Sequence, residues 1–432
     1  MAEYIPVLVL VLSFICFLGI GTPVAWSIAL SSLLTMLVSI PFFPALTTVS
    51  QRMATGLDSF ALLAIPFFIL SGQLMNKGGV AHRLIAFAKT LVGALPGGLA
   101  LINVIAAMLM GAIAGSAMAS ASAMGSILGP EMEKDGYSKE FGAAVNITSS
   151  TTGLIIPPSN VLIVYSLASG GVSIAALFLA GYIPGILTGL FLMIVASIWA
   201  KRKNYKVGKR SSLKEVGKTF VDAFTSLMLL VVVIGGIVSG IFTATEASAI
   251  AVLYCLILGF VYKEIKWRDL SEILLDSSAT TAVVMLLIGA SMSMSWVMSY
   301  ENIPQDISTT LLALSDNPII ILLIINLLLL FVGIFMDMTP AVLIFTPIFL
   351  PIVTALGMDP IHFGIVMVLN LCIGLCTPPV GSVLFVGVGV ANTSIEKVVK
   401  PLLPLFLAMI LALFLVTYFP QLSLWLPKLF GV

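Results

Sequence analysis

Two pairs of consecutive prolines interrupt long apolar stretches of the chain, Pro157-Pro158 in one and Pro378-Pro379 in another. Because proline has no backbone N–H, each pair frees carbonyl oxygens in the preceding helical turn, around Gly153 and around Gly374. Carbonyl oxygens in a low-dielectric interior need a partner, and the C-terminal end of a helix adds partial negative charge. Both segments therefore favour the binding of a hard monovalent cation.

Two further apolar stretches are interrupted near their middles, the first by Gly115-Ser116 and the second by the polar segment that begins at Asp337. Irregular backbone deep in an apolar interior is tolerated only where it lines a cavity or is buried in protein. We therefore expect two hairpins, over 97–132 and over 317–356, whose chains turn back within that interior.

Both hairpin tips carry side-chain oxygens, from Ser116 and Ser120 in the first hairpin and from Asp337 and Thr339 in the second. These oxygens are suited to completing the shell of a cation held by the freed carbonyls. Asp337 is the sharpest candidate, because it is the one acid deep in a predicted apolar segment, where a carboxylate is costly unless it is paired or functional.

Short helices are expected to restart after each proline pair, at Ser159-Asn160 and at Gly381-Ser382. The N–H groups at a helix start attract anions, so the same region suits an anionic ligand.

A purely structural alternative stays open for each of these four segments when it is taken alone. Proline pairs are often only kinks, and stretches rich in serine and glycine, such as 115–126, are often close packing surfaces between helices.

Composition places these segments in a membrane protein. The chain has 432 residues, of which 60% are apolar and 9% are charged, and its net charge is +1. Soluble domains carry about 25% charged residues, so this chain cannot coat a water-facing surface. A nucleic-acid partner is also excluded, since no net positive field is available to neutralise phosphates.

Enzyme and transition-metal motifs are nearly absent from the sequence. Cys372 and Cys376 share a helical face, but His82 and His362 are the only histidines, so we expect no transition-metal site and no cofactor. Nothing in the sequence resembles a complete phosphate-binding loop, an H-E-x-x-H motif or a nucleophile elbow. An intramembrane enzyme therefore stays only as a weak alternative.

Ten apolar segments are long enough to cross a bilayer as helices. They span 4–22, 24–42, 58–76, 141–169, 176–200, 219–242, 246–262, 277–298, 361–391 and 402–427. Two shorter amphipathic segments, 80–95 and 302–315, are expected to lie in the membrane interface, with a solvated loop as the alternative for the first.

The basic residues orient this arrangement, because Lys and Arg in short loops accumulate on the cytoplasmic side of a membrane. All of them except Arg52 and Lys428, 18 of the 20, fall on one side of the predicted topology. Both termini are therefore expected outside the cytoplasm, and the basic loop 201–218 inside it.

The chain contains two copies of one pattern, separated by a constant spacing in sequence that we call the repeat offset. Gly153-Leu154 and Pro157-Pro158 recur as Gly374-Leu375 and Pro378-Pro379 at this offset. Each copy holds an odd number of crossings, so the second copy must run upside down relative to the first. Inverted repeats with broken helices near the midplane are typical of secondary transporters. We therefore expect two halves, 1–218 and 219–432, each with scaffold helices, a hairpin and a broken helix.

Three segments of the chain resemble one known family. The segments 240–247, Asp337 to Pro340, and Ile156 to Ser159 are similar to those of the large membrane subunit of TRAP transporters, the tripartite ATP-independent periplasmic systems. The resemblance covers nearly the whole chain. It implies an all-α polytopic protein of two inverted repeats, with about ten transmembrane helices and two re-entrant hairpins.

The resemblance also implies a mechanism and a set of site residues. It implies an elevator-type secondary transporter, not an enzyme, in which 80–95 and 302–315 are arms that link a moving part to a scaffold. The implied sodium ligands are Ser116, Gly153, Pro157, Asp337, Thr339, Gly374, Thr377 and Pro378. The implied substrate contacts are Ser120, Ser159, Asn160, Gly381 and Ser382.

The family resemblance further implies partners, a location and a substrate class. The partners would be a small four-helix membrane subunit, a periplasmic substrate-binding protein and surrounding membrane lipid, in the inner membrane of a bacterium. The cargo would be an organic acid imported with sodium, sialic acid first and a C4-dicarboxylate second. A stand-alone sodium-coupled carboxylate transporter or exchanger, without a binding protein, is the alternative.

Overall fold

The computed structural model describes residues 5–208, 211–315 and 317–432, and every regular element in these ranges is helical. A short 3-10 turn, Phe60–Leu63, precedes the fourth α-helix. The α-helices are α1 Ile5–Gly19, α2 Val24–Ser39, α3 Phe42–Gly56, α4 Ala64–Lys77, α5 Val80–Val92, α6 Gly98–Ala114, α7 Ala117–Lys134, α8 Lys139–Thr152, α9 Asn160–Ala168, α10 Ile174–Arg202, α11 Leu213–Val238, α12 Ala244–Val261, α13 Asp269–Tyr300, α14 Ile303–Leu314, α15 Pro318–Phe335, α16 Met338–Ala355, α17 Pro360–Gly374, α18 Ser382–Val390, α19 Ile395–Tyr418 and α20 Gln421–Phe430.

Eight helices within the described ranges are long and apolar enough to cross a bilayer, and four more apolar helices are shorter. The predicted all-α polytopic fold class is therefore confirmed. Tyr4, in the first predicted span, and Lys209 and Arg210, in the predicted basic loop, lie outside the described residues.

The structure corrects the sequence-based boundaries in two places. The predicted span 402–427 is wrong as a single helix, because α19 ends at Tyr418 and α20 begins at Gln421, after Pro420. The helix α3 was not predicted, because its many polar residues make the segment too polar to be recognised as a membrane span. One face of this helix packs Ala45 and Val49 against Val297 of α13.

Helix positions repeat along the chain in the same way as the sequence motifs. The hairpin helices α7 and α16 begin and end at positions related by the repeat offset, and the first residues of α8 and α17 are related in the same way. Each proline pair is joined by a cis peptide bond. One difference between the halves is that α3 and α4 correspond to the single helix α13, which has 32 residues.

The two broken helices, α8–α9 and α17–α18, lie at the centre of the molecule. Nearly every residue of α8 and α17 is buried, and the Cys372 thiol of α17 donates to the Thr151 carbonyl of α8 at 3.2 Å. Each break packs against the first helix of a hairpin through a pair of glycines. A Cβ atom on Gly111 would lie 2.5 Å from the Gly153 Cα, and one on Gly333 would lie 3.0 Å from the Gly374 Cα.

The segment predicted to lie in the interface before the first hairpin is a helix, α5, and not a loop. Its residues Val80, Leu84 and Ala88 are buried on one face. On the scaffold side, the Arg83 guanidinium stacks 3.4 Å from the centre of the Tyr262 ring. On the hairpin side, Lys89 pairs with Glu131 at 3.4 Å. The helix therefore contacts both the scaffold, at the end of α12, and the first hairpin.

We expect Gly111→Ala to destabilise the protein, because its new methyl group would meet the backbone of Gly153. Overpacking of this kind costs about 1–3 kcal/mol. The matched control is Gly235→Ala in α11, where no atom lies within 4 Å of the added methyl group. The midpoint of thermal unfolding in detergent should fall for Gly111→Ala and stay or rise for the control; equal midpoints would contradict the close contact.

Candidate functional site

A cavity of about 240 Å³ lies where the two hairpin tips meet the two broken helices. Its polar lining comes from six neutral side chains on several helices and their caps. They are Gln73, Asn76, Ser116, Asn160, Thr280 and Thr339, to which Asp337 adds a carboxylate. Leu154 and Leu375, which lie at the two helix breaks, also line it. Four segments that the sequence singled out therefore converge on one space.

The first hairpin tip is held by its own backbone and by Asn160. Gly115 has a left-handed φ of +61°, and a Cβ atom there would lie 2.6 Å from the Asn160 amide nitrogen. Ser116 follows as the N-cap of α7, where its hydroxyl accepts from the Ala119 N–H at 3.3 Å. Both Ser116 and Asn160 line the cavity, as expected of site residues.

The second tip brings the carboxylate of Asp337 to the cavity. Asp337 is the N-cap residue of α16, and its side chain makes no capping hydrogen bond. The residue is accessible from the cavity that it lines, and none of the ion pairs within the described residues includes it. An acid at a helix start is favoured by the helix dipole, yet it keeps its capacity to bind a cation.

Four helix N-termini point to this cavity. The helices α7, α9, α16 and α18 each place a first-turn residue in its lining, namely Ala117, Asn160, Met338 and Val383. Each N-terminus carries about half a positive charge. Among the described residues that line the cavity, none is Lys, Arg or His. An anion bound here would therefore be held by backbone N–H groups and neutral side chains.

The structure places other predicted site residues behind the cavity wall. Gly153 and Gly374 pack on Gly111 and Gly333, and the Thr377 hydroxyl donates to the Ile373 carbonyl at 2.7 Å. Pro157, Pro378, Gly381 and Ser382 do not line the cavity, and neither does Ser159, whose hydroxyl donates to the Leu154 carbonyl. Ser120 is fully buried in α7, and its hydroxyl has no hydrogen-bond partner within the described structure. The roles of these residues stay predictions.

Three polar residues that line the cavity were not predicted from the sequence. Gln73 and Asn76 lie on α4, and Thr280 lies on α13. The Asn76 amide oxygen is buried and has no partner among the described residues. Polar residues three positions apart in an otherwise apolar span were the available signal, because they lie on one helical face.

Comparison with known proteins identifies a family over most of the chain. Residues 11–422 match the family model described as the tripartite ATP-independent periplasmic transporter, DctM component.

Three curated relatives that match nearly the whole chain are named for different acids. The isethionate TRAP transporter permease protein DctMQ of Oleidesulfovibrio alaskensis is 42% identical, over 98% of this chain and 67% of its own. The C4-dicarboxylate TRAP transporter large permease protein DctM of Pseudomonas aeruginosa is 41% identical, over 94% and 95%. The sialic acid TRAP transporter large permease protein SiaM of Vibrio cholerae is 39% identical, over 95% and 96%.

A solved structure shares the fold at low sequence identity. The YdaH transporter of Alcanivorax borkumensis superposes with a TM-score of 0.67, over 88% of this chain and 89% of its own, at 14% identity. Identity at that level shows the fold alone.

Gly115→Ala should destabilise the first hairpin tip, and with it the folded protein, through two effects. A left-handed backbone costs a residue with a side chain roughly 1–2 kcal/mol, and the methyl group would also displace Asn160. Gly170→Ala is the matched control, since its φ is +82° and its surroundings are open. The loss of thermal stability should be larger for Gly115→Ala, and equal losses would show that Asn160 does not press on the tip.

Proposed function

This chain belongs to the DctM component family of tripartite ATP-independent periplasmic transporters, and from that premise we propose that it is the membrane permease of a sodium-driven importer of a small organic acid. The family is one of transporters and not of enzymes. The observation that carries the proposal is the convergence of both hairpin tips and both helix breaks on one cavity, whose described lining holds an acid and no basic side chain.

Sodium coupling is supported by the kind of atoms around the cavity. The helix C-termini that end at the two breaks, the hydroxyls of Ser116 and Thr339 and the carboxylate of Asp337 all favour a hard cation. A monovalent ion fits better than a divalent one, because the described lining of the cavity holds a single carboxylate. We assign one sodium site to each half, the first with Ser116 and the second with Asp337 and Thr339.

The acid cargo is supported by the four helix N-termini and by the amide of Asn160, which offer hydrogen-bond donors to the same cavity. The relatives named for isethionate, C4-dicarboxylate and sialic acid are 42%, 41% and 39% identical, so identity does not rank these cargoes. The cavity of about 240 Å³ lies below the roughly 300–1,000 Å³ usual for drug-sized ligands. We therefore place a C4-dicarboxylate or a small sulfonate ahead of sialic acid, the reverse of the first expectation.

Partners and movement complete the proposal. As its family name states, the system is tripartite and periplasmic, so we propose a small membrane subunit and a periplasmic binding protein that delivers the acid. We place both termini on the periplasmic side, in accordance with the basic loops. In the elevator movement, α5 and α14 connect a moving part, made of the hairpins and broken helices, to the scaffold. The contacts of α5 with both Tyr262 and Glu131 support its role as an arm.

Uptake of labelled acid into proteoliposomes should require a sodium gradient, the small subunit and the binding protein. Asp337→Asn should raise the external sodium concentration for half-maximal uptake by about tenfold, which corresponds to about 1.4 kcal/mol. Asp276→Asn, at an exposed acid of α13, is the control and should leave that concentration unchanged.

Uptake that persists without sodium would contradict the coupling. Unchanged sodium dependence in Asp337→Asn would remove Asp337 from the site. Uptake that needs sodium but no binding protein would favour the stand-alone transporter.

Competition among unlabelled acids tests the cargo. A C4-dicarboxylate or isethionate should inhibit uptake at a concentration at least about tenfold lower than sialic acid does. The assay is best run with the binding protein at saturation, so that the permease is tested and not only delivery. Inhibition by sialic acid at the lowest concentration would restore the first order of preference.

A further inference from the structure

A second cavity, of about 230 Å³, lies along α7 at the end away from the hairpin tip. It is enclosed by α7, α8 and α18, and Asn103 of α6 reaches it. Lys139 and Glu133, which lie beside the α7–α8 loop, line its mouth and pair with each other at 3.5 Å. This is the side that the basic loops assign to the cytoplasm.

The wall of this cavity contains a buried oxygen that lacks a donor. Asn146 is 3% exposed, and its amide nitrogen donates to the Ala121 carbonyl at 2.7 Å. Its amide oxygen has no hydrogen-bond partner within the described structure. A buried acceptor without a partner is costly, so a water molecule or a cation is expected against it.

Several polar side chains are buried on α6, α7 and α8, and residues of α7 line both this cavity and the candidate functional site. We call Ser120, Asn103, Ser149 and Asn146 the polar seam. The Ser149 hydroxyl donates to the Asn103 amide oxygen at 3.1 Å, and the buried Ser120 hydroxyl has no partner among the described residues. Ser120 lies one helical turn after Ser116, and the cavity begins at Gly125, about two and a half turns after the tip.

The second half of the chain has no such seam at the corresponding positions. At the repeat offset, Asn103, Ser120 and Asn146 are replaced by Ile324, Ala341 and Met367. Only Ser149 has a polar counterpart, Asn370, which bonds to Asn326. The second half instead has a different buried polar cluster, in which Asn326 also bonds to Thr417, and no unpartnered amide oxygen is present at the Met367 position.

The charged and polar groups that line this second cavity favour a cation over the acid cargo. The ammonium group of Lys139 is already compensated by Glu133, and an anion would leave the Asn146 oxygen without a partner. We propose that this cavity is a cytoplasmic-side site for the coupling cation, which sodium occupies as it leaves the first hairpin tip for the cytoplasm. This inference rests on the sodium coupling proposed above.

Inhibition of uptake by sodium inside proteoliposomes tests the site. Binding protein added outside delivers acid only to transporters whose periplasmic side faces outward. In these transporters the second cavity, on the cytoplasmic side, faces the vesicle lumen. Asn146→Leu should raise the luminal sodium concentration for half-inhibition by about tenfold, while the external concentration for half-maximal uptake changes less than about twofold. Met367→Leu, the equivalent position of the second half, is the control and should change neither. Choline replaces sodium at constant ionic strength throughout.

A second variant keeps the test informative if Asn146→Leu does not fold. Ser126→Ala removes a hydroxyl that lines the same cavity and should shift the luminal concentration in the same direction, by about two- to threefold. An unchanged luminal concentration in the folded variants, or equal inhibition by luminal choline in the wild type, would overturn the cytoplasmic site and leave the external sodium dependence intact. Wild-type uptake that does not depend on the external sodium concentration would instead overturn the proposed sodium coupling.

Discussion

Backbone groups at the broken helices have to be satisfied inside a bilayer, and the rest of the structure depends on that constraint. At each break one helix ends with its C-terminus and the next helix begins with its N-terminus. Water can satisfy these groups only in a cavity, and ligands of opposite charge can satisfy them as well. One cavity that receives ends of both kinds is thus suited to a cation and an anion together, and the described residues that line it include no basic side chain.

The repeat of the chain is what brings these ends together. Each half supplies one hairpin and one broken helix, so their combination places four helix N-termini around a single space. Close approach requires backbones to touch, which explains the glycine pairs Gly111 with Gly153 and Gly333 with Gly374. The halves are not equivalent in chemistry. Asp337 stands where the first half has Ser116, and Met367 stands where the first half has Asn146.

Much of this arrangement could be predicted from local sequence, because breaks, tips and spans are local features. Ser116, Asn160, Asp337 and Thr339 were named from proline, glycine and charge alone, and all line the cavity. The polar lining residues Gln73, Asn76 and Thr280 were not predicted. The face of a span that meets the cavity is determined by packing between segments that are distant in sequence. The helix α3 was missed for a related reason, because its burial depends on α13.

The central claim is that the two hairpin tips and the two helix breaks form two sodium sites, one in each half, and thermal unfolding of the purified permease with its small subunit tests it most directly. A ligand that binds only the folded state raises the unfolding midpoint with its concentration. The midpoint should therefore be higher in sodium chloride than in choline chloride of equal ionic strength, and Asp337→Asn should reduce the difference. Equal midpoints of the wild type in the two salts would contradict the account.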